Sequence, residues 1–537
     1  MYRQKHLAFR DLRDLLNHSF NRHKEITALK LRNKIVTYGE LQENSLGIAN
    51  FIFSNGLHRK NIGIFGQRNL SVYYGIVGTI LAGATYVPIN SKFPLCKKLS
   101  LVQQASIEVI ICSYEDYLKN IEFIQQTNLK FIIIPDCDHA NPNPWLIPKN
   151  KLSEGKKYSF KESTFPQNKI IYIMFTSGST GTPKGVKISH SNVLSLINNL
   201  KNFYPDLEPG YHNSQTFDLS FDPSICDMFF TWSNGGTLCI LSEKELYCPS
   251  EYIKREKIVL WHSVPALAEF IQKLGQLKND FFPSIRYSIF TGEPCKKSIA
   301  DSWMAAAPNS TIENRYGPTE VTVDCLRYSY RKNDQHKFFS NNVLPIGTPY
   351  DNLRFAIINE NLEQCSTGDR GELIIAGPQV SEGYLNDEKK TNSVFTKMLW
   401  DREDCIWYRT GDSAFVNQDD QVECLGRIDN QIKLAGKRME LEEIEYHLIN
   451  SKIFSDVIVV PLYSNDGIVH GVSAFTTTDF HTADVAKLKE LTTNALDQSF
   501  FPKKFERIDA FPRLSNGKID RKTLETKAQK EVRTQCL

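Results

Sequence analysis

The stretch that decides the fold runs from Ile170 to His190 and reads IIYIMFTSGSTGTPKGVKISH. Its apolar start, Ile170 to Phe175, predicts a buried strand. That strand leads into Thr176-Ser177-Gly178-Ser179-Thr180-Gly181-Thr182-Pro183-Lys184-Gly185. Glycines let a backbone turn its N–H groups inward and let an anion approach, hydroxyls donate further hydrogen bonds, and Lys184 adds positive charge. A buried strand delivering such a loop predicts a phosphate grip. It is not a Walker A loop, because counting GxxxxGK[ST] from Gly178 puts Pro183 where glycine is required. A plain flexible turn between strands would leave the strand-then-loop order unexplained.

The chain around it has 537 residues, too many for one ordinary core, so two or more domains are expected. Hydrophobic residues at 41% and charged residues at 23% describe a globular protein rather than a disordered one. The net charge is +3, from 64 bases against 61 acids, which gives no reason to expect a nucleic-acid surface. No apolar run approaches the roughly 18 residues needed to span a bilayer, and MYRQKHLAFRDL lacks the apolar core of a signal peptide. The twelve cysteines form no CxxC pair, so zinc spacing is missing and reduced thiols in a cytoplasmic protein are expected.

Upstream, a helix is predicted from Val36 through Phe51, a strand over Asn61 to Phe65 and a helix over Leu70 to Leu81. Strands near 109–112 and 131–135 alternate with helical stretches, as in a parallel α/β layer. Residues 136–168, rich in Pro, Asn, Asp and Lys, are expected to form a surface connection. Downstream, Ser191 or Ser189 is a plausible cap for the helix starting at His190. Segments 346–349, 371–378 and 383–385 read as hairpins of a smaller β-rich subdomain. Four further signals stand in order: Thr216 to Leu241 with two Phe-Asp pairs, Asn314-Arg315-Tyr316-Gly317-Pro318-Thr319-Glu320, Tyr408-Arg409-Thr410-Gly411-Asp412, and Leu514-Ser515-Asn516-Gly517-Lys518-Ile519-Asp520-Arg521.

Taken with the 176–185 loop, these motifs resemble the adenylate-forming superfamily, and in particular the amino-acid adenylation domains of nonribosomal peptide synthetases and the D-alanine–carrier protein ligases. The resemblance covers nearly the whole chain. It implies a mixed α/β fold: a large N-terminal adenylation core (1–428) of layered sheets with a β-rich subdomain, and a small mobile C-terminal lid (429–537) turning about Asp429. It also implies ATP and Mg²⁺ as cofactors. Thr176, Ser177, Gly178, Ser179, Thr180, Gly181 and Lys184 would grip the phosphates. Gly292, Glu293, Asn314, Arg315, Tyr316, Gly317, Thr319, Asp412 and Arg427 would surround the rest of the nucleotide, with Tyr316 stacked on adenine and Asp412 on the ribose hydroxyls. Glu320 would hold the metal, a role suited to a carboxylate beside a triphosphate. Thr176, Lys184, Glu320 and the mobile Lys518 make the implied catalytic set.

By the same resemblance, counting back from Gly235 selects Asp222 rather than Asp218 as the partner of an amino acid's α-ammonium group. Its alternative reading is a helix cap. The implied substrate pocket comprises Asp222, Pro223, Cys226, Ser263, Ile289, Thr291, Arg315, Val323, Asp324 and Lys518. An unpaired buried charge costs about 3–5 kcal/mol. So either Arg315 and Asp324 pair with each other, or a polar or charged substrate side chain completes them. The implied reaction is formation of an aminoacyl-AMP with release of pyrophosphate. Transfer to the phosphopantetheine thiol of a separate carrier protein follows, because the chain holds no carrier site of the Gly-x-(His/Asp)-Ser kind. The protein is expected to be a monomer without nucleic-acid or membrane partners. Two departures, Ala435 where the family has Arg and Glu442 where Gly is common, bear on the lid. The competing reading is an acyl- or aryl-CoA synthetase, against which Asp222 argues.

Overall fold

The computed structural model describes residues 9–138, 143–152, 170–178, 183–337, 339, 342–434, 436–464, 466–493, 496–513 and 519–535, with no side-chain description from 530 onward. The apolar run read from the sequence is the strand Ile170–Thr176, the last of six parallel strands in a seven-stranded sheet. The seventh strand, Lys184–Ser189, folds back antiparallel with Thr176 opposite Lys184. The ends of the predicted phosphate loop therefore lie on neighbouring antiparallel strands at the sheet edge, and Ser179 to Thr182 between them lie outside the described residues. Leu146–Pro148, inside the stretch expected to be surface connection, instead adds a buried parallel strand at the opposite edge. Its three apolar residues find a place beside Phe131–Ile134, which the local Pro and Asn content concealed.

A nine-stranded sheet runs, in order, through Thr348–Pro349, Leu326–Tyr330, Thr311–Tyr316, Tyr287–Phe290, Leu260–Ser263, His212–Gln215, Thr237–Ile240, Thr27–Leu31 and Lys34–Thr37. Its central strands are parallel, so their carboxyl ends share one edge, where α/β sheets place ligands. Helices Tyr38–Ser54, Leu70–Leu81 and His190–Phe203 share one apolar cluster with both sheets. Ten of the twelve residues in Leu70–Leu81 are buried, as expected of a helix apolar all round. Starts are fixed locally. Thr37 and Glu40 form a reciprocal capping box, and Ser189, not Ser191, caps the helix after the phosphate hairpin together with Asn192.

The β-rich unit is a five-stranded sheet of Arg354–Ile358, Gly371–Ala376, Ile406–Val416, Phe395–Lys397 and Val422–Arg427. Of two further segments expected in it, the first is shared, with Gly347 bridging Val422 of this sheet, and the second lies elsewhere. Thr348–Pro349 pairs with Leu326–Tyr330 as the edge of the large sheet, while Tyr384 bridges Val186 and braces the phosphate hairpin. Beyond Asp429 come the hairpin Gln431–Leu434/Lys437–Glu440, the helix Leu441–Asn450 and a three-stranded sheet of Ile458–Tyr463, Val469–Thr476 and Lys504–Arg507. Ile444, Leu448, Val459, Val472 and Leu488 form a separate apolar cluster there. No helix among the described residues is long and apolar enough to cross a membrane.

Candidate active site

A cavity of about 470 Å³ opens at the carboxyl ends of the parallel strands. Thr176 and Ser177 of the phosphate hairpin line one wall, and Lys433, Gly436, Lys437, Arg438 and Met439 of the C-terminal hairpin line the facing one. Thr176 Oγ1 is buried without a hydrogen-bond partner. Ser179, Thr180, Gly181 and Lys518 lie outside the described residues, so four of the expected site residues have no structural account.

On the nucleotide side, Gly292, Gly317, Thr319, Asp412 and Arg427 all line the cavity. Tyr316 ends the strand Thr311–Tyr316, and its hydroxyl donates to Asp412 Oδ2. Arg427 Nη1 donates to the other oxygen, Asp412 Oδ1, at 3.1 Å, and its Nη2 reaches Asp429 at 2.5 Å. The expected ribose, nucleotide and hinge residues thus form one chain of contacts. Lys433 Nζ stands 5.6 Å over the Tyr316 ring. A Cβ at Gly317 would collide with the Val323 carbonyl oxygen, so only glycine allows the turn that carries Glu320 to fold against its strand. Asn314 instead holds the segment that leads into Thr348–Pro349. Its amide donates to the Leu344 and Pro345 carbonyls at 3.1 and 2.8 Å, and it does not line the cavity. Glu293 Oε1 accepts the Gly436 N–H at 2.5 Å, joining the core to the C-terminal hairpin.

Glu320 has no exposed surface. Burial alone would raise its pKa, yet the Arg438 guanidinium 3.1 Å away, the Tyr384 hydroxyl and Lys184 hold it down to about 2. The carboxylate is therefore ionised, as a divalent-metal ligand must be, and is paired here with Arg438. Lys184 Nζ lies 3.2 Å from Glu440 Oε1 of the C-terminal hairpin. Burial, with Arg438 nearby, lowers its pKa. Ser177 Oγ donates to the Arg438 carbonyl at 3.0 Å.

The two aspartates of TFDLSFD separate cleanly. Asp218 Oδ1 accepts the Ser220 N–H at 2.9 Å and Asp218 Oδ2 accepts the Asn90 amide at 2.8 Å. Asp222 makes no side-chain cap bond to the short helix that follows it, and its Oδ2 is buried with no partner. Burial pushes its pKa up to about 7, with Asp324 and Glu320 adding to the rise against a hydroxyl contact from Thr319. Pro223, Thr291 and Val323 line the cavity with it. Cys226, Ser263, Ile289, Arg315 and Asp324 lie behind that lining. Of the two options open for the charges, the structure adopts mutual pairing. Arg315 donates to Glu313 at 2.9 Å and to the Tyr204 hydroxyl, and it lies 3.6 Å from Asp324. Asp324 accepts from Thr291 Oγ1 at 2.8 Å.

Sequence reasoning missed two contributors. Arg438, Glu440 and Glu443 reach the core from the C-terminal hairpin and its helix; the two bases followed by four acids in KRMELEEIE were the available signal. Gln379, with no exposed surface, donates to the carbonyls of Val321 and Asp324 at 3.3 and 2.8 Å and pins the turn where Thr322 and Val323 both adopt positive φ. Nothing in its local sequence announces that.

The sequence profile described as AMP-binding enzyme matches residues 16–385. Among curated proteins, the D-alanine–D-alanyl carrier protein ligase of Staphylococcus epidermidis is 30% identical over 96% of this chain and 98% of its own length. A D-alanine–D-alanyl carrier protein ligase of Bacillus velezensis is 29% identical over 91% of this chain and 94% of its own length. Among solved structures, the Vibrio cholerae adenylation domain AlmE in complex with glycyl-adenosine-5'-phosphate superposes with a TM-score of 0.83 at 26% identity, covering 98% of this chain and 99% of that one. With its motifs gathered around one cleft and a family match over most of its length, the chain belongs to the AMP-binding enzymes.

Proposed function

We propose that the protein activates a small amino acid with ATP as its aminoacyl-AMP and passes it to the phosphopantetheine thiol of a separate carrier protein. The observation that carries this is Asp222, a half-buried aspartate at the cavity wall whose Oδ2 is buried and unpartnered. A protonated α-amine would supply the missing cation, whereas an aryl or fatty acid would leave the charge uncompensated. A small side chain is favoured because Pro223, Thr291 and Val323 wall the space beside Asp222, while behind them Arg315 is paired with Glu313 and lies 3.6 Å from Asp324. The D-alanine and glycyl groups in the relatives' names agree with that size.

In this reading residues 1–428 form the core and 429–537 a lid hinged at Asp429. The amino acid's carboxylate attacks the α-phosphorus and pyrophosphate leaves, so positioning and charge neutralisation dominate. Lys184, Thr176 and Ser177 draw the β- and γ-phosphates toward the hairpin, and Lys518 brings the carboxylate to the α-phosphate. Asp412 and Tyr316 orient the nucleoside. Glu320 would hold Mg²⁺, whose chemistry is to neutralise the departing pyrophosphate. Such a protein would work in the cytoplasm as a monomer. Amino-acid-dependent exchange of labelled pyrophosphate into ATP tests the reading. Exchange with glycine or alanine is expected, and exchange driven only by aryl or fatty acids would replace it with the acyl-CoA synthetase alternative. Loss of exchange by orders of magnitude in a folded Lys518→Ala protein would assign that lysine its role.

A further inference from the structure

Cys226 and Ser263, two residues expected in the amino-acid pocket, have chain neighbours that are hydrogen-bonded to each other. His262 Nδ1 lies 2.6 Å from Asp227 Oδ1, and both side chains are 1% exposed. Asp227 follows Cys226 at the head of a π-helical turn, Cys226–Phe230, and His262 precedes Ser263, the last residue of the strand Leu260–Ser263. The bond therefore ties the segment that carries Asp222, Pro223 and Cys226 to a strand of the large sheet. Such wide turns are rare and recur at functional sites. Asn213, on the strand His212–Gln215, secures this one by donating to Thr231 Oγ1 at 2.7 Å and to the Asp227 carbonyl at 3.4 Å. His262 also supports a cavity wall, since its ring packs edge-on against Phe217 with centroids 4.7 Å apart, and Phe217 lines the cavity with Asp222. Neither Asp227 nor His262 lines the cavity itself.

Burial disfavours a charge on either partner. It lowers the His262 pKa to about 3 and raises that of Asp227 well above the usual carboxylate range, with Asp324 adding to the rise. The pair carries no net charge, so Asp227 adds no further negative charge to those of Asp222 and Asp324. A tie made only for stability needs no polar atoms. Apolar side chains would pack the two elements without leaving His262 Nε2 and Asp227 Oδ2 unpartnered among the described residues, as they are here. What a hydrogen bond adds to packing is direction, because it holds a distance and an angle.

We propose that Asp227 and His262 are a positioning pair for the amino-acid substrate: their bond fixes the Asp222–Cys226 segment against Ser263 and Phe217 and so sets the width of the pocket. The inference rests on the amino-acid reading of the Asp222 cavity and names the residues that hold its walls. Tyr316, Asp412 and Arg427, expected at the nucleotide, lie on the strands Thr311–Tyr316, Ile406–Val416 and Val422–Arg427, which the bond does not touch. The pair acts on the amino acid and not on ATP.

Pyrophosphate exchange by the full chain measures the KM for each substrate separately. Asp227→Leu keeps a branched side chain and removes the bond, whereas Asp227→Asn keeps both a donor and an acceptor for His262 Nδ1. Asp227→Leu is expected to raise the KM for alanine about tenfold, to leave that for ATP within about twofold, and to lower the preference for alanine over leucine about tenfold. His262→Phe, which keeps a ring against Phe217 and drops the bond from the other side, carries the same expectation and serves where Asp227→Leu does not fold. Asp227→Asn is expected to stay within about threefold of the parent on all three measures. Unchanged values in the folded Leu and Phe variants, an equal rise in both KM values, or an Asp227→Asn protein as impaired as Asp227→Leu would overturn this inference alone. A parent protein that exchanges with no amino acid would overturn the amino-acid reading and the inference with it.

Discussion

Asp218 and Asp222 stand on one short segment and meet opposite fates. Asp218 spends both oxygens on Ser220 and Asn90, whereas Asp222 Oδ2 remains buried and unpartnered at the cavity wall. The first is a local structural carboxylate. The second has a free valence that folding did not fill.

Substrate affinity should follow the ionisation of Asp222. Its pKa is pushed up to about 7, chiefly by burial, so the carboxylate of the free protein is half-protonated near neutrality. Only the ionised form attracts an ammonium group. The KM for the amino acid, measured between pH 5.5 and 8.5, is therefore expected to rise about tenfold per pH unit below pH 7 and to level off above it.

The same carboxylate should weaken the free protein. A folded-state pKa raised above the unfolded value near 4 means the folded form holds its proton more tightly, so ionisation favours unfolding. The penalty is absent below about pH 4, grows between pH 4 and 7, and is full above pH 7. Asp222→Asn is expected to raise the melting temperature at pH 8 and to leave it nearly unchanged at pH 4.

Arg315 should prove to be a stability residue. Its side chain is 1% exposed and is shared by Glu313, Asp324 and Tyr204. Arg315→Met takes the cation from buried Asp324 and leaves Glu313 to Arg327 and Tyr204, and it is expected to cost about 3–5 kcal/mol in a denaturant titration. The surviving folded protein should keep its amino-acid preference. A switch of preference toward basic side chains would show instead that Arg315 reads the substrate.

Gly317→Ala should damage the turn that carries Glu320. Its new methyl group meets the Val323 carbonyl, backbone that cannot swing aside. A loss of about 1–3 kcal/mol is expected from overpacking, together with weaker nucleotide binding.

What the sequence made legible was whatever depends on local pattern. The bounds of Asn61–Phe65 and Leu70–Leu81 came directly from apolar periodicity, and the strand Ile170–Thr176 from its apolar run. Leu146–Pro148 was hidden because its pairing with Phe131–Ile134 is a tertiary fact laid over a loop-like composition. Tyr384 was read as part of a hairpin, but its place is set by Val186, far away in the chain. Arg315 and Asp324 could be recognised as a charge problem with two solutions. Choosing between them required Glu313, two residues back on the same strand, and Tyr204, which approaches from the end of the helix His190–Phe203. Contacts between the C-terminal hairpin and the core, such as Arg438 with Glu320, leave no local trace beyond a dense run of charge.

The account turns on the role of Asp222 as the counter-charge of an α-ammonium group, and pyrophosphate exchange with matched substrates measures that most directly. The preferred small amino acid and its des-amino analogue, alanine and propionate for example, would be compared in the parent protein and in Asp222→Asn. The parent is expected to exchange with alanine at least about a hundredfold faster than with propionate, and Asp222→Asn to lose the alanine reaction while remaining folded. Equal rates with propionate in the parent, or an undiminished alanine reaction in Asp222→Asn, would contradict it.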